Sequence, residues 1–327
     1  MVIKIDQNHK YCGLSVQKLL SGLTLSTKMI KRLKYRPDGI LVNGSHVTVR
    51  YILKDGDVLS LALDDNESSK NAPPSDIPID IIYENNDFIA LNKPPFMPTH
   101  PSHNHHSDTL ANACSSYFGK FGQPFVFRPI NRLDRNTSGI VVVAKNQIAA
   151  SQLALAMKER KFTKSYVAYL DGFLPDPTET VIFMGEEFGV IDKPIRRAQK
   201  SIIFREVCSI NDEGAEEAIT YYRILHRSAD CTEVEIYPQT GRTHQLRVHF
   251  ASIGHSIIGD DLYGTESQHI GRHALHARSL VFPLPKALSL NGTTENDEMI
   301  CLEAPIPADM TELYKIFFDQ GEKNEKE

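Results

Sequence analysis

Asp134 stands between Arg132 and Arg135 in RPINRLDRNTSGIVVVAK (128–145), a polar run that passes directly into an apolar one. An isolated Asp-Arg pair is by default half of a structural ion pair. Here Thr137-Ser138-Gly139 makes a tight passage into a strand, and polar loops fixed at strand edges are where reactive groups concentrate. A neighbouring guanidinium favours the ionised carboxylate and orients it, which suits a nucleophile and disfavours a proton donor.

Two further stretches carry residues of this kind. In PQTGRTHQLRVHFASIGHSIIGDDLYG (238–264), Gly241 permits close backbone approach, Thr243 is placed to cap a helix, and Leu246, Phe250 and Ile253 fall on one helical face. Arg242 at the helix start could meet a phosphate, and Arg247, off the apolar face, is free to pair with a carboxylate from elsewhere. The blander alternative is an amphipathic helix with solvated arginines. In KSYVAYLDG (164–172), Lys164 and Tyr166 share one side of a strand. A tyrosine there more often packs than reacts, yet a ring beside a carboxylate could stack on a nucleobase.

The elements that must position these groups follow from periodicity. IDIIYENNDFIALNK (79–93) reads as a hairpin turning at Asn85 to Asp87, SDTLANACSSYF (107–118) as a helix opening at Ser107 or Asp108, and GIVVVAK as a buried strand. NQIAASQLALAMKERK is a helix, KSYVAYLDG a strand, EEAITYYRIL and TEVEIYPQ neighbouring antiparallel strands, and THQLRVHFASIG a helix beginning at Thr243. HALHARSLVF adds a late strand and MTELYKIFF a closing helix. The predicted class is α+β, built on a mixed, largely antiparallel sheet flanked by helices.

Residues 1–63 are different in character. SVQKLLSGL (15–23) and STKMIKRLKY (26–35) are short helical patterns, the second opening on Ser26 or Thr27, and Asn43-Gly44 in ILVNGSHVT signals a tight turn before the strand in DGDVLSLAL. Met29, Leu33, Ile40, Val42, Val58 and Leu61 could form a small core. The chain's net charge of −5 alone argues against a nucleic-acid partner, but residues 1–60 hold ten Lys and Arg against four acidic residues, leaving the remainder strongly acidic. Lys28, Lys31, Arg32 and Lys34 crowd the second helix, where they could follow a phosphate backbone or simply form a solvated face. Residues 64–78 read as an exposed linker and 321–327 as a flexible tail. Five unpaired-looking cysteines and the lack of an apolar leader or a span of about 18 apolar residues point to a soluble cytoplasmic chain.

Together, IIYENNDFIALNKPPFMPTHPS, NRLDRNTSGIVVVAK, KSYVAYLDG, GRTHQLRVHFASIGHSIIGDDLYG and RHALHARSLVF resemble the RluA-type pseudouridine synthases, in that family's order across residues 79–285. The first 63 residues resemble an S-four-like RNA-binding domain, an arrangement familiar ahead of such a synthase domain at 79–320. The resemblance implies isomerisation of uridine in RNA to pseudouridine, with large-subunit ribosomal RNA favoured over transfer RNA and no metal or organic cofactor; a monomer is expected because all the expected site residues lie in one chain, and the lack of a long apolar span predicts no membrane partner. It implies Asp134 as the essential aspartate, Tyr166 as the ring on the target base, Arg247 as the arginine paired with the aspartate, and Arg132 as the side chain entering the RNA stack. Arg242 would hold phosphate and Leu275 the apolar wall under the base. Asn131 stands where many members have histidine, which leaves the subfamily open.

Three rivals stand beside this reading. A non-catalytic RNA-binding assembly factor would not need Asp134, Tyr166 and Arg247 together. A metal enzyme could draw on His103, His105 and His106 or on His269, His273 and His276, but there is no His-Glu-x-x-His helix and no cysteine set. A glycosidase needs a second placed carboxylate, for which only Asp260-Asp261 offers itself.

Overall fold

A computed structural model describes the chain except residues 24, 64–67, 70, 123, 200, 202, 286–297 and 320–327. The expected tail at 321–327 and part of the expected linker therefore lie outside the described residues.

The amino-terminal unit contains β1 (Val2–Lys4), α1 (Val16–Gly22), α2 (Thr27–Tyr35), β2 (Ile40–Val42), β3 (Ser45–His46) and β4 (Val58–Leu61). Its antiparallel sheet runs β1-β4-β2-β3. Ser15 and Ser26 cap the two helices, each hydroxyl accepting a backbone N–H three residues on, at 3.3 and 3.2 Å. Asn43 and Gly44 both take positive φ, as a two-residue hairpin demands. Leu33, Ile40, Val42 and Leu61 are buried as expected, joined by Leu19, Leu20 and Leu59, while Met29 packs at the edge.

The rest is built on one large sheet. In chain order come β5 (Ile81–Glu84), β6 (Phe88–Lys93), α3 (Leu110–Gly119), β7 (Ser138–Ala144), α4 (Gln147–Lys158) and β8 (Thr163–Asp171). They are followed by β9 (Thr180–Phe183), β10 (Glu186–Asp192), β11 (Ile195–Arg197), β12 (Arg205–Val207), β13 (Ile219–Arg227) and β14 (Cys231–Pro238). α5 (Gln245–Ala251), β15 (Leu275–Pro283), β16 (Met299–Glu303) and α6 (Ala308–Phe317) complete the chain. The order is β5-β6-β7-β15-β8-β14-β13-β10-β9, with β16 on β15; β7 and β15 are parallel and the other pairings antiparallel. β11 and β12 form a separate ribbon.

β7 explains its own apolar run. Ile140, Val142 and Ala144 face Ala149 and Leu153 of α4, while Val141 and Val143 face Leu110, Cys114 and Phe118 of α3. Every position is therefore buried, and alternation disappears. Two expected helix starts move. α3 is capped by Thr109 in a reciprocal box with Asn112, and α5 begins after His244, not at a Thr243 cap. Among the described residues no helix is long and apolar enough to cross a membrane.

Candidate active site

Asp134 sits on a loop whose backbone is held residue by residue. Asn131 lays its amide alongside β7, Nδ2 donating to the Ile140 carbonyl at 2.8 Å and Oδ1 accepting the Val142 N–H at 2.9 Å. It thus acts as one more rung of the sheet. Thr99 Oγ1 donates to the Leu133 carbonyl at 3.0 Å, and the Thr137 N–H donates to that of Asp134 at 3.1 Å. The Arg135 carbonyl accepts from Lys93 Nζ at 3.2 Å, and that of Asn136 from Arg272 Nη1 at 3.2 Å.

Both cations are buried in the protein. Arg272 is held by a two-pronged pairing with Asp309 at 2.7 and 2.9 Å. Lys93 also donates to the Pro94 and Met97 carbonyls at 2.9 Å. Burial, aided by the charge of Arg272 and opposed by Asp134, pulls the Lys93 ammonium down to about 7. Gly139 ends the loop with φ +114°; a Cβ there would lie 2.2 Å from the Ala277 carbonyl oxygen, so only glycine lets β7 approach β15.

The loop opens on a cleft of about 520 Å³ into which the sequence motifs converge. Asp134, Arg132, Tyr166, Arg242, Arg247 and Leu275 all line it, as does Lys164. Burial first, and then the charge of Asp134, pushes the Tyr166 phenol up, so it is protonated at neutral pH. The α2 cations stand apart from this cleft. Lys28, Lys31, Arg32 and Lys34 are all exposed, and Arg32 Nη2 donates to Gln147 Oε1 at the start of α4, at 2.6 Å.

Two arginines of the cleft have acidic partners that the sequence did not show. Arg242 is tethered, its Nη1 2.8 Å from Glu216 and its Nε donating to the Glu217 carbonyl at 3.0 Å. Arg247, expected to pair with Asp134, instead forks onto Asp260 at 2.7 and 2.6 Å and reaches Asp261 at 3.2 Å. It is also not off the buried side of its helix: only 4% of it is exposed, and a guanidinium so withdrawn requires a hydrogen-bonded carboxylate. Asp260, itself fully buried, accepts the Leu262 and Tyr263 N–H groups as well. Burial works against its charge, yet these bonds and Arg247 hold its carboxyl below the usual range. That commitment removes Asp260 as a glycosidase's second carboxylate.

The titratable group found against Asp134 is one that sequence reasoning passed over. His244 Nε2 lies 3.9 Å from Asp134 Oδ2, and its Nδ1 is 2.8 Å from the Tyr263 hydroxyl. Its backbone is left-handed, φ +58° and ψ +15°, which costs a non-glycine residue of order 1 kcal/mol. The available signal was its place inside GRTHQLR, between Arg242 and Arg247.

Three of the six histidines of the metal reading have other polar partners. His105 meets Asp108 at 2.6 Å, His273 Nε2 meets the Thr137 hydroxyl at 2.8 Å, and His276 Nδ1 meets that of Ser138 at 2.9 Å. Burial pushes His276 and the equally buried His249 down to about 4, opposed by a backbone carbonyl in each case. An unfolded histidine titrates near 6.5, so below that pH the unfolded chain binds the extra protons. Stability is therefore complete above about pH 6.5 and falls toward pH 4, by on the order of 2 kcal/mol for each histidine at pH 5. Urea midpoints at pH 7 and pH 5 measure it, and equal midpoints would contradict the burial of these rings.

A carboxylate on a braced loop, facing an open cleft with arginines at its walls, suits an enzyme acting on an anionic polymer. A family model described as RNA pseudouridylate synthase matches residues 87–252. The uncharacterized RNA pseudouridine synthase YjbO of Bacillus subtilis is 34% identical over 92% of this chain and 99% of its own. Ribosomal large subunit pseudouridine synthase D of Haemophilus ducreyi is 34% identical over 73% of this chain and 71% of its own. The solved structure of human RNA pseudouridylate synthase domain containing 1 superposes with a TM-score of 0.54 at 27% identity, covering 71% of this chain and 85% of that one. The chain belongs to the RNA pseudouridine synthase family, and it is an isomerase of that class.

Proposed function

We propose that this protein converts specific uridines of large-subunit ribosomal RNA to pseudouridine, with Asp134 as the nucleophile. The observation that carries the reading is the fixed loop presenting Asp134 to the cleft that Tyr166 and Arg247 also line. Relatives named ribosomal large subunit pseudouridine synthase D favour ribosomal over transfer RNA as the substrate.

The glycosidic bond to C1′ breaks, the uracil turns within the cleft, and a carbon–carbon bond forms from C1′ to C5, with the C5 proton lost and N1 reprotonated. Asp134 assists the departure of the base. Tyr166 stacks on the uracil against Leu275, while Arg132 takes the vacated place in the RNA stack, as extraction of a base from its stack requires. Arg247 contributes positive potential from its seat on Asp260, and Arg242 exchanges Glu216 for a phosphate. The amino-terminal unit acts as an S-four-like RNA-binding domain through Lys28, Lys31 and Lys34, with Arg32 facing Gln147. We place the enzyme in the cytoplasm as a monomer; its five free cysteines support a reducing compartment.

The test is pseudouridine mapping on ribosomal and transfer RNA from cells with the native protein, without it, and with Asp134→Asn. Loss of one ribosomal site in both altered strains is the expected result. A lost transfer-RNA site would move the substrate, and no lost site would favour a non-catalytic assembly factor. Deleting residues 1–63 is expected to weaken RNA binding and to lower the slope of log Kd against log salt by about 2 to 3, one unit or slightly less per phosphate contact removed. Filter binding at several salt concentrations measures it; an unchanged slope would mean that α2 carries only a solvated face.

A further inference from the structure

We propose that His244 is the positioning residue for Asp134, with Tyr263 setting the tautomer that lets it act. The inference rests on the reading of Asp134 as the reacting carboxylate. With Arg247 turned to Asp260, His244 is the ring nitrogen donor set against the Asp134 carboxylate, 3.9 Å away.

The strained backbone at His244 has no capping explanation. The residue occupies the N-cap of α5 in the left-handed region, and its side chain makes no bond to the helix start. The imidazole instead spans from Asp134 to Tyr263, edge to face with the Tyr263 ring. The Tyr263 oxygen already accepts the Arg205 N–H at 2.8 Å, which directs its own proton to His244 Nδ1. The hydrogen of the neutral ring then resides on Nε2, the nitrogen turned to the carboxylate. Arg247, 5.2 Å above the Tyr263 ring, steadies the other end of the chain.

Burial, with the two arginines that face the imidazole, favours its neutral form. Burial lowers its affinity for a proton, Asp134 and Asp260 oppose this, and Arg247 and Arg205 add to it. A neutral Nε2–H directs a lone pair of Asp134 without removing its charge, as a nucleophile requires. At 3.9 Å the contact is open and closes by a small movement of either side chain when RNA fills the cleft.

The experiment pairs single-turnover kinetics on a large-subunit ribosomal RNA transcript with histidine nitrogen NMR of the free enzyme. His244→Ala is expected to slow pseudouridine formation about 100-fold, the scale for loss of one oriented donor, with the Kd for RNA changed less than about threefold. His244→Gln, whose amide nitrogen reaches the position of Nε2, is expected to recover about tenfold. Equal rates for the native enzyme and His244→Ala, or equal losses for Ala and Gln at unchanged melting temperature, would overturn the assignment. NMR decides it separately from turnover. The native enzyme should show the Nε2–H tautomer of His244, mixed in Tyr263→Phe, and its pKa should drop in Asp134→Asn. An Nδ1–H tautomer, or a His244 signal indifferent to Asp134→Asn, rejects the role even if Ala fails to fold. A native enzyme inactive on ribosomal and transfer RNA alike would sink the proposed function, while the tautomer and the response to Asp134→Asn would still decide how His244 is set.

Discussion

Asp134→Asn is expected to abolish pseudouridine formation, by roughly 10,000-fold or more, while melting within a few degrees of the native protein. The asymmetry follows from how the residue is held. Its carbonyl and those of its neighbours carry the loop, through Thr137, Thr99, Lys93 and Arg272, and none of these bonds uses the Asp134 carboxylate. Asparagine keeps the shape and loses the negative charge. Two titratable groups nearby would register it: burial lowers both Lys93 and His244 and Asp134 opposes this, so both should hold a proton less firmly in the variant. The check is single-turnover conversion alongside a thermal melt. Turnover at the native rate would remove Asp134 from the nucleophile's role, and a collapsed melt would mean that the carboxylate supports the loop after all.

The parts of this structure that sequence could foretell are those governed by local chemistry. Ser26 ahead of an apolar period gives α2, Asn43-Gly44 gives its hairpin, and an unbroken apolar run gives a strand buried on both faces. The family motifs likewise placed Asp134, Arg132, Tyr166, Arg242, Arg247 and Leu275 in one cleft. Partner choice was not legible, because a sequence shows which acids and bases exist but not which are withdrawn from water together. Nothing in their local sequence marks Lys93 and Arg272 as withdrawn from water, yet they lie within the protein under the Asp134 loop. The cap of α5 misled for a related reason: a threonine suits that role locally, while the tertiary site imposes a left-handed His244. β9, β11 and β12 are too short to show a period, and in β10 the charges of Glu186, Glu187 and Asp192 leave only a brief apolar middle, which blurs any alternation.

Asp260→Ala is expected to be the most damaging change outside the catalytic loop, costing about 3–5 kcal/mol of folding stability. Removing this carboxylate leaves the Arg247 guanidinium buried without its fork and strands the Leu262 and Tyr263 N–H groups that Asp260 accepts. Asp261 cannot replace it, since it is half exposed and touches Arg247 through one oxygen at 3.2 Å. What stability survives should come with low activity, because a guanidinium released from Asp260 is drawn toward Asp134 and holds the carboxylate that must react. Urea denaturation of the single variant against Arg247→Met/Asp260→Ala separates the two costs. The double variant is expected to regain most of the lost stability, as replacing a buried ion pair by apolar side chains does elsewhere, and to regain no activity. If the single variant were as stable as the native protein, the Arg247–Asp260 pair would be incidental and Arg247 would be available to Asp134. Equal stability losses in the single and double variants would instead place the cost in the stranded backbone groups and not in the unpaired charge.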